Sequence, residues 1–151
     1  MVSVWWDVKG VIYFELLPLN TTVDATLYCA QMNRLQVALK KERPYRDKVQ
    51  LLHDNARPHT AKKTREKINE LGWEVVPHPA YSPDLAPSDY HLFRSLSNHL
   101  ENRHFDNRDQ LQNDLEDFFR SKPASFYDHG IRQLPKRWEE VIDNNGEYIV
   151  D

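Results

Sequence analysis

Residues 49–59 read Val49-Gln50-Leu51-Leu52-His53-Asp54-Asn55-Ala56-Arg57-Pro58-His59, and the fold turns on them. Val49 to Leu52 is a short apolar run with the length of a strand, and it delivers His53 and Asp54 at its carboxyl end. In an open α/β sheet that end is where chemistry is usually placed. Beyond it, a run from about Thr60 to Leu71 puts Thr64, Ile68 and Leu71 on one face at helical spacing. Gly72 ends that run, and Trp73 to Val76 is β-prone again. Strand, helix and strand in this order predict a parallel crossover.

Upstream, Val2 to Trp6 and Val11 to Leu17 are β-rich runs separated by Asp7-Val8-Lys9-Gly10, a turn-forming tetrapeptide that predicts an antiparallel hairpin. Thr21, Thr22 and Asp24 lead into a helix in which Tyr28, Met32, Leu35 and Leu39 recur every three or four residues, ending near Pro44. That stripe is core, and Cys29 within it is a packing residue. Downstream, Pro77, Pro79, Pro83 and Pro87 hold an extended loop. Pro87 fits the first turn of a helix that buries Leu92, Phe93, Leu96 and Leu100 and carries Asp89 in that turn. Asn107, with Gln110 three residues on, caps a helix bearing Leu111, Leu115, Phe118 and Phe119. Two short helices follow, from about Ala124 and from Pro135, the last stopped near Gly146.

At 151 residues, without repeats or low-complexity tracts, the chain has the size of one domain. A hydrophobic fraction of 40% and a charged fraction of 28% describe an ordinary soluble globule. No apolar run reaches the roughly 18 residues a bilayer crossing needs, and no cleavable signal is present, so no membrane partner is expected. The single cysteine excludes an intrachain disulfide and a thiolate zinc cluster. A net charge of −3 argues mildly against a free-standing DNA binder, because lysine and arginine supply sequence-independent affinity for phosphates. Local charge opposes the net. Lys40, Lys41, Arg43, Arg46 and Lys48 read equally well as a solvated face, whereas Arg57, Lys62, Lys63, Arg65 and Lys67 follow Asp54 closely and favour a phosphate role.

Residues 55–88, 34 in all, separate Asp54 from Asp89. Four stretches stand in order: VWWDVKGVIYFELL at 4–17, HDNARPHTA at 53–61, HPAYSPDLAPSDYHLF at 78–93 and GIRQLPKRWEEVIDNNGEYI at 130–149. Together they resemble the mariner branch of the Tc1/mariner DNA transposases, whose catalytic cores end in an aspartate, a 34-residue gap and another aspartate. The resemblance implies an α/β, ribonuclease H-like (retroviral integrase-like) fold, a mixed sheet flanked by helices. It also implies metal-dependent phosphodiester hydrolysis and strand transfer in cut-and-paste transposition. The expected cofactor is Mg2+, with Mn2+ as a substitute. The expected partner is DNA, both inverted-repeat ends and TA target sites, with a homodimer in the full-length protein and a nuclear location. The family's first carboxylate lies in a Thr-x-Asp-Glu-Lys-Trp motif ahead of the Trp-Trp hairpin, and that motif is absent from these residues. The expectation is therefore a single partial catalytic domain over 1–151, N-terminally truncated by its first strand and without helix-turn-helix domains.

On this reading Asp54 and Asp89 are the catalytic, metal-binding pair. Each completes one ion's shell, and their carboxylates are expected roughly 4–7 Å apart, for ligand distances near 2 Å and metals about 4 Å apart. Asn55 is a supporting residue for Asp54 or a bound water, and Arg57, His59, Lys62 and Lys63 are candidate DNA contacts. The competing readings are a strand-end turn for Asp54 and a helix N-terminal acid for Asp89. Asp7 reads as turn chemistry rather than a replacement ligand, and Asp84 as a stabiliser of its loop. His53 and His59 do not have the helical spacing of a zinc pair. Trp5, Trp6, Trp73 and Trp138 read as core or helix anchors, not base-stacking platforms. The alternative function is a catalytically inactive remnant that binds DNA or protein.

Overall fold

Asp7 Oδ1 accepts the Lys9 backbone N–H at 2.9 Å. This side-chain turn closes a hairpin of β1, Val2–Asp7, and β2, Gly10–Leu16. A two-residue link makes the pair antiparallel. Gly10 leaves the turn at a φ of +133°, where L side chains are strained, and Tyr127 ring carbons lie 3.7 Å from where a Cβ would stand. Asp7 thus does the turn work that its sequence position suggests.

The computed structural model describes residues 1–44, 48–54, 56–79 and 82–143. They form two compact units. The first holds Met1–Trp5 and Ile12–Ser82; the second holds Trp6–Val11 and the chain from Pro83 on.

In the first unit, α1 spans Ala25–Glu42, and Asp24 Oδ1 caps it by accepting the Leu27 N–H at 2.8 Å. Its buried stripe of Tyr28, Cys29, Met32, Leu35 and Leu39 packs with Leu51, Ile68 and Trp73. Strands β3, Gln50–Leu51, and β4, Glu74–Val75, pair in parallel in the register Gln50 to Glu74 and Leu51 to Val75. Both are shorter than the apolar runs that carry them. Between them the chain makes α2, Arg57–Thr60, and α3, Lys62–Leu71. The sequence suggests one helix starting near Thr60. Instead Ala61 turns extended, with a ψ of 147°, and the Thr64 hydroxyl donates to the Pro58 carbonyl across the break. Thr64 and Ile68 still face inward, and Gly72 ends α3 in the left-handed region, so the predicted crossover is present.

In the second unit a 3-10 turn, Pro83–Leu85, precedes a π-helical turn, Ser88–Phe93, which runs on as α4, Arg94–Leu100. Leu85, Tyr90, Leu92 and Leu96 are buried. Asn107 Oδ1 accepts the Gln110 N–H at 2.9 Å and Gln110 Oε1 accepts the Asp106 N–H at 3.0 Å, capping α5, Arg108–Ser121. A single helix, α6, Ala124–Asp143, replaces the two short ones expected and continues through Pro135. Proline removes one helical donor there. Tyr127, Gly130 and Leu134, all buried, anchor the helix on the side leading into it. Any side chain at Gly130 would meet the His91 ring, 2.2 Å from the Cβ position.

Candidate active site

Asp54 stands three residues past the end of β3 and three before the start of α2, which is how a crossover places a carboxylate beyond a strand end. Its Oδ1 takes two donors: the Ala56 backbone N–H at 3.0 Å and the His59 ring at Nδ1, 2.6 Å away. Partial burial pushes the Asp54 carboxyl up, but the Ala56 N–H, His59 and His53 outweigh it and hold the group below the usual carboxylate range. The side chain is therefore ionised at neutral pH while still 56% exposed. An ionised carboxylate only accepts, so the proton in this bond sits on His59 Nδ1.

The His59 ring is itself held. It stacks on His53 at 4.8 Å with planes 4° apart, and Tyr28 lies 4.3 Å from it on a 40° tilt. The Tyr28 hydroxyl and His53 Nδ1 hydrogen-bond at 2.9 Å. Burial, with the Asp54 charge second, raises the Tyr28 phenol above its ordinary value, so it stays protonated. Burial pushes His53 down to about 4; the neighbouring His59 and His78 add to this and Asp54 opposes it. His53 is thus neutral at pH 7, and the histidine pair stacks without two full charges face to face. Sequence reasoning took Tyr28 for a core residue and His53 for part of a motif. The one available signal was a phenol placed on an otherwise apolar stripe.

Among the other residues singled out, Arg57 is exposed on α2, and Lys62 and Lys63 are exposed at the start of α3. Lys62 Nζ lies 3.9 Å from Glu66, and Lys63 Nζ donates to Thr26 Oγ1 at 3.1 Å. Asn55 lies outside the described residues. Asp89 belongs to the second unit, in the first turn of the π-helical segment, exposed, with its N–H donated to the Ala86 carbonyl at 2.8 Å. The flanking residues are gripped: Trp6 Nε1 donates to Ser88 Oγ at 2.9 Å, the Tyr90 hydroxyl donates to the Gly130 carbonyl, and His91 Nε2 donates to the Phe126 carbonyl at 2.7 Å. Arg137 lies 4.0 Å over the Tyr90 ring. Asp54 and Asp89 are each described within their own unit; the structure joins Asp54 to His59. Among the described residues no group of three or more His, Cys, Asp or Glu side chains is placed to hold a metal ion, and no helix is long and apolar enough to cross a membrane.

A family model described as "Transposase (partial DDE domain)" matches residues 1–49. The chain is 46% identical to the Mariner Mos1 transposase of Drosophila mauritiana over 99% of its own length and 44% of that protein, so it spans less than half of this curated relative. It superposes on the Mos1 transposase catalytic domain solved with Raltegravir and Mg at a TM-score of 0.96 and 45% identity, covering 99% of this chain and 76% of that one. It matches the Mos1 mariner paired-end complex with Mn at 0.96 and 47% identity, covering 99% of this chain and 44% of that one. The hairpin, the parallel crossover and these superpositions define a ribonuclease H-like α/β core. Identity at this level across three-quarters of a solved catalytic domain is decisive about kinship. The chain belongs to the mariner (Tc1/mariner) family of DNA transposases.

Proposed function

We propose that residues 1–151 act as one partial catalytic domain of a mariner-type transposase, with Asp54 and Asp89 as ligands of Mg2+, or of Mn2+ in its place. The observation that carries the reading is Asp54 itself: an ionised, solvent-accessible oxygen donor just beyond a strand, anchored among the described residues through one oxygen, Oδ1. Hard divalent cations prefer such oxygen donors, so the residue fits the metal. Bound there, the cations would stabilise charge on the attacking and leaving oxygens of a phosphodiester exchange. In that exchange water attacks phosphorus at an element end and the bond to the 3′-oxygen breaks, leaving a 5′-phosphate and a 3′-hydroxyl; the 3′-hydroxyl then attacks a target phosphodiester and displaces the target strand's own 3′-oxygen.

The protein's own part is positioning. His59 holds a proton on Nδ1 toward Asp54, and Arg57, Lys62 and Lys63 are exposed cations suited to DNA phosphates beside it. Asn55 is the proposed support for Asp54 or a bound water, on its place in the sequence motif alone. Transposon inverted-repeat ends and TA target sites are the proposed substrates. A homodimer is the proposed assembly of the full-length protein, and the nucleus the place of action. The relatives' paired-end complex supports DNA as the partner.

The test is cleavage of inverted-repeat DNA with Mg2+ by this chain and by a version extended upstream to carry the family's first carboxylate. The extended protein should nick the element end, Asp54→Ala and Asp89→Ala should each abolish nicking, and the 151-residue chain should cut little. Nicking that survives both substitutions would refute the assignment.

A further inference from the structure

A carboxylate oxygen offers about two lone-pair sites, and on Asp54 Oδ1 both are taken, one by the Ala56 N–H and one by His59 Nδ1. Two donors from different directions on one oxygen fix the rotation of the carboxylate plane. Among the described residues both recorded bonds fall on Oδ1, which leaves Oδ2 for a cation. Of the two donors, Ala56 is backbone and held by the chain entering α2, while His59 is a side chain that could swing away. It does not, because its ring packs against two others: His53 lies parallel at 4.8 Å and Tyr28 sits tilted at 4.3 Å. The Tyr28–His53 hydrogen bond at 2.9 Å ties those two flanking rings together, and Tyr28 is a buried member of the α1 stripe.

We propose that His59 is a positioning residue for Asp54: its Nδ1–H, held by the Tyr28–His53 ring pair, locks the carboxylate so that Oδ2 is presented for one-oxygen coordination of a divalent cation. The inference rests on the reading of Asp54 as a metal ligand, and it gives His59 a role beyond the DNA contact suggested by its place among basic residues. The ring also explains why a histidine suits this position better than a longer cation. A lysine would bring charge without a planar face to stack, and its donor would not be fixed in direction.

The experiment separates donor from ring. Mn2+ binding to the 151-residue chain is measured from the free-ion electron paramagnetic resonance signal, for wild type, Asp54→Asn, His59→Phe and His59→Asn. Phenylalanine keeps the stacked ring and removes the donor. Asparagine loses the ring but carries an N–H at about the position of Nδ1. Circular dichroism and thermal melting confirm that each variant is folded. The expected result is Mn2+ affinity roughly 10–100-fold weaker in His59→Phe, the usual cost of removing the partner that orients a metal ligand. His59→Asn, whose donor no ring stack holds, should bind more weakly than wild type but no more weakly than His59→Phe, and Asp54→Asn should be at least as weak as His59→Phe. Loss in Asp54→Asn with wild-type affinity in His59→Phe would overturn the role of His59 while leaving Asp54 a ligand. Wild-type affinity in His59→Phe beside a loss in His59→Asn would show that the ring matters and the donor does not, which also overturns the proposal. Binding unchanged in Asp54→Asn would overturn the metal reading on which it stands.

Discussion

His53 gives the site a measurable pH signature in the metal-free protein. Burial, with the charge of neighbouring histidines, pushes its pKa from 6.5 down to about 4. Above pH 6.5 the ring is neutral in both folded and unfolded chains and contributes no pH dependence. Between 6.5 and 4 the unfolded chain takes up a proton that the folded chain refuses, so stability falls as pH falls, and the loss is complete below about 4. At 1.36 kcal/mol per pH unit the gap is worth at most roughly 3.4 kcal/mol. The ring is only half-buried and solvent screens its neighbours, which reduces the expected loss to about 2 kcal/mol. The assay is urea unfolding in EDTA at pH 7.5, 5.5 and 4.5, for wild type and for His53→Asn. The variant does not titrate but keeps a polar group within reach of the Tyr28 hydroxyl. Over this range wild type should lose about 1–2 kcal/mol more than the variant. The Asp54 contribution runs with the same sign but at lower pH. Its depressed carboxyl stabilises the fold above the usual carboxylate range and is lost only as pH falls through the folded value, so it largely cancels between the two proteins above pH 4.5. Equal losses in wild type and variant would refute the claim that His53 is held neutral by its surroundings.

Two further outcomes test the scaffold. Met32 is fully buried at the centre of the α1 core, so Met32→Ala should cost about 2–5 kcal/mol in urea unfolding; a cost below about 1 would mean that the stripe is not where the first unit is held together. Asn107→Ala removes the side-chain acceptor at the start of α5 and should cost about 1 kcal/mol, whereas Asn107→Asp should retain most of it; identical losses in the two would show that the cap hydrogen bond is not the stabilising contact.

Local patterns carried much of this fold in the sequence. The Asp7 turn, the Asp24 and Asn107 caps, the α1 stripe and the Leu51-to-Trp73 crossover each lie within a window where spacing and turn chemistry decide the outcome. What escaped was set by tertiary contacts. Pro135 reads as a helix start, yet α6 runs through it, with Gly130 pressed against His91 and Tyr127 and Leu134 buried. The break at Ala61 places Arg57–Thr60 in a separate turn, bonded to α3 through Thr64 and Pro58. The same division holds at the site. Asp54 was legible because it ends an apolar run. The Tyr28–His53–His59 stack was not, because Tyr28 is 25 residues from His53 and its position fits core packing just as well.

Whether Asp54 and Asp89 ligate metal is read from anomalous diffraction of crystals of the protein grown with Mn2+. Anomalous peaks are expected within about 2–2.5 Å of a carboxylate oxygen of each aspartate, with His59 Nδ1 still bonded to Asp54 Oδ1 and the metal on Oδ2. Manganese on imidazole nitrogens, or on neither aspartate, would contradict the assignment.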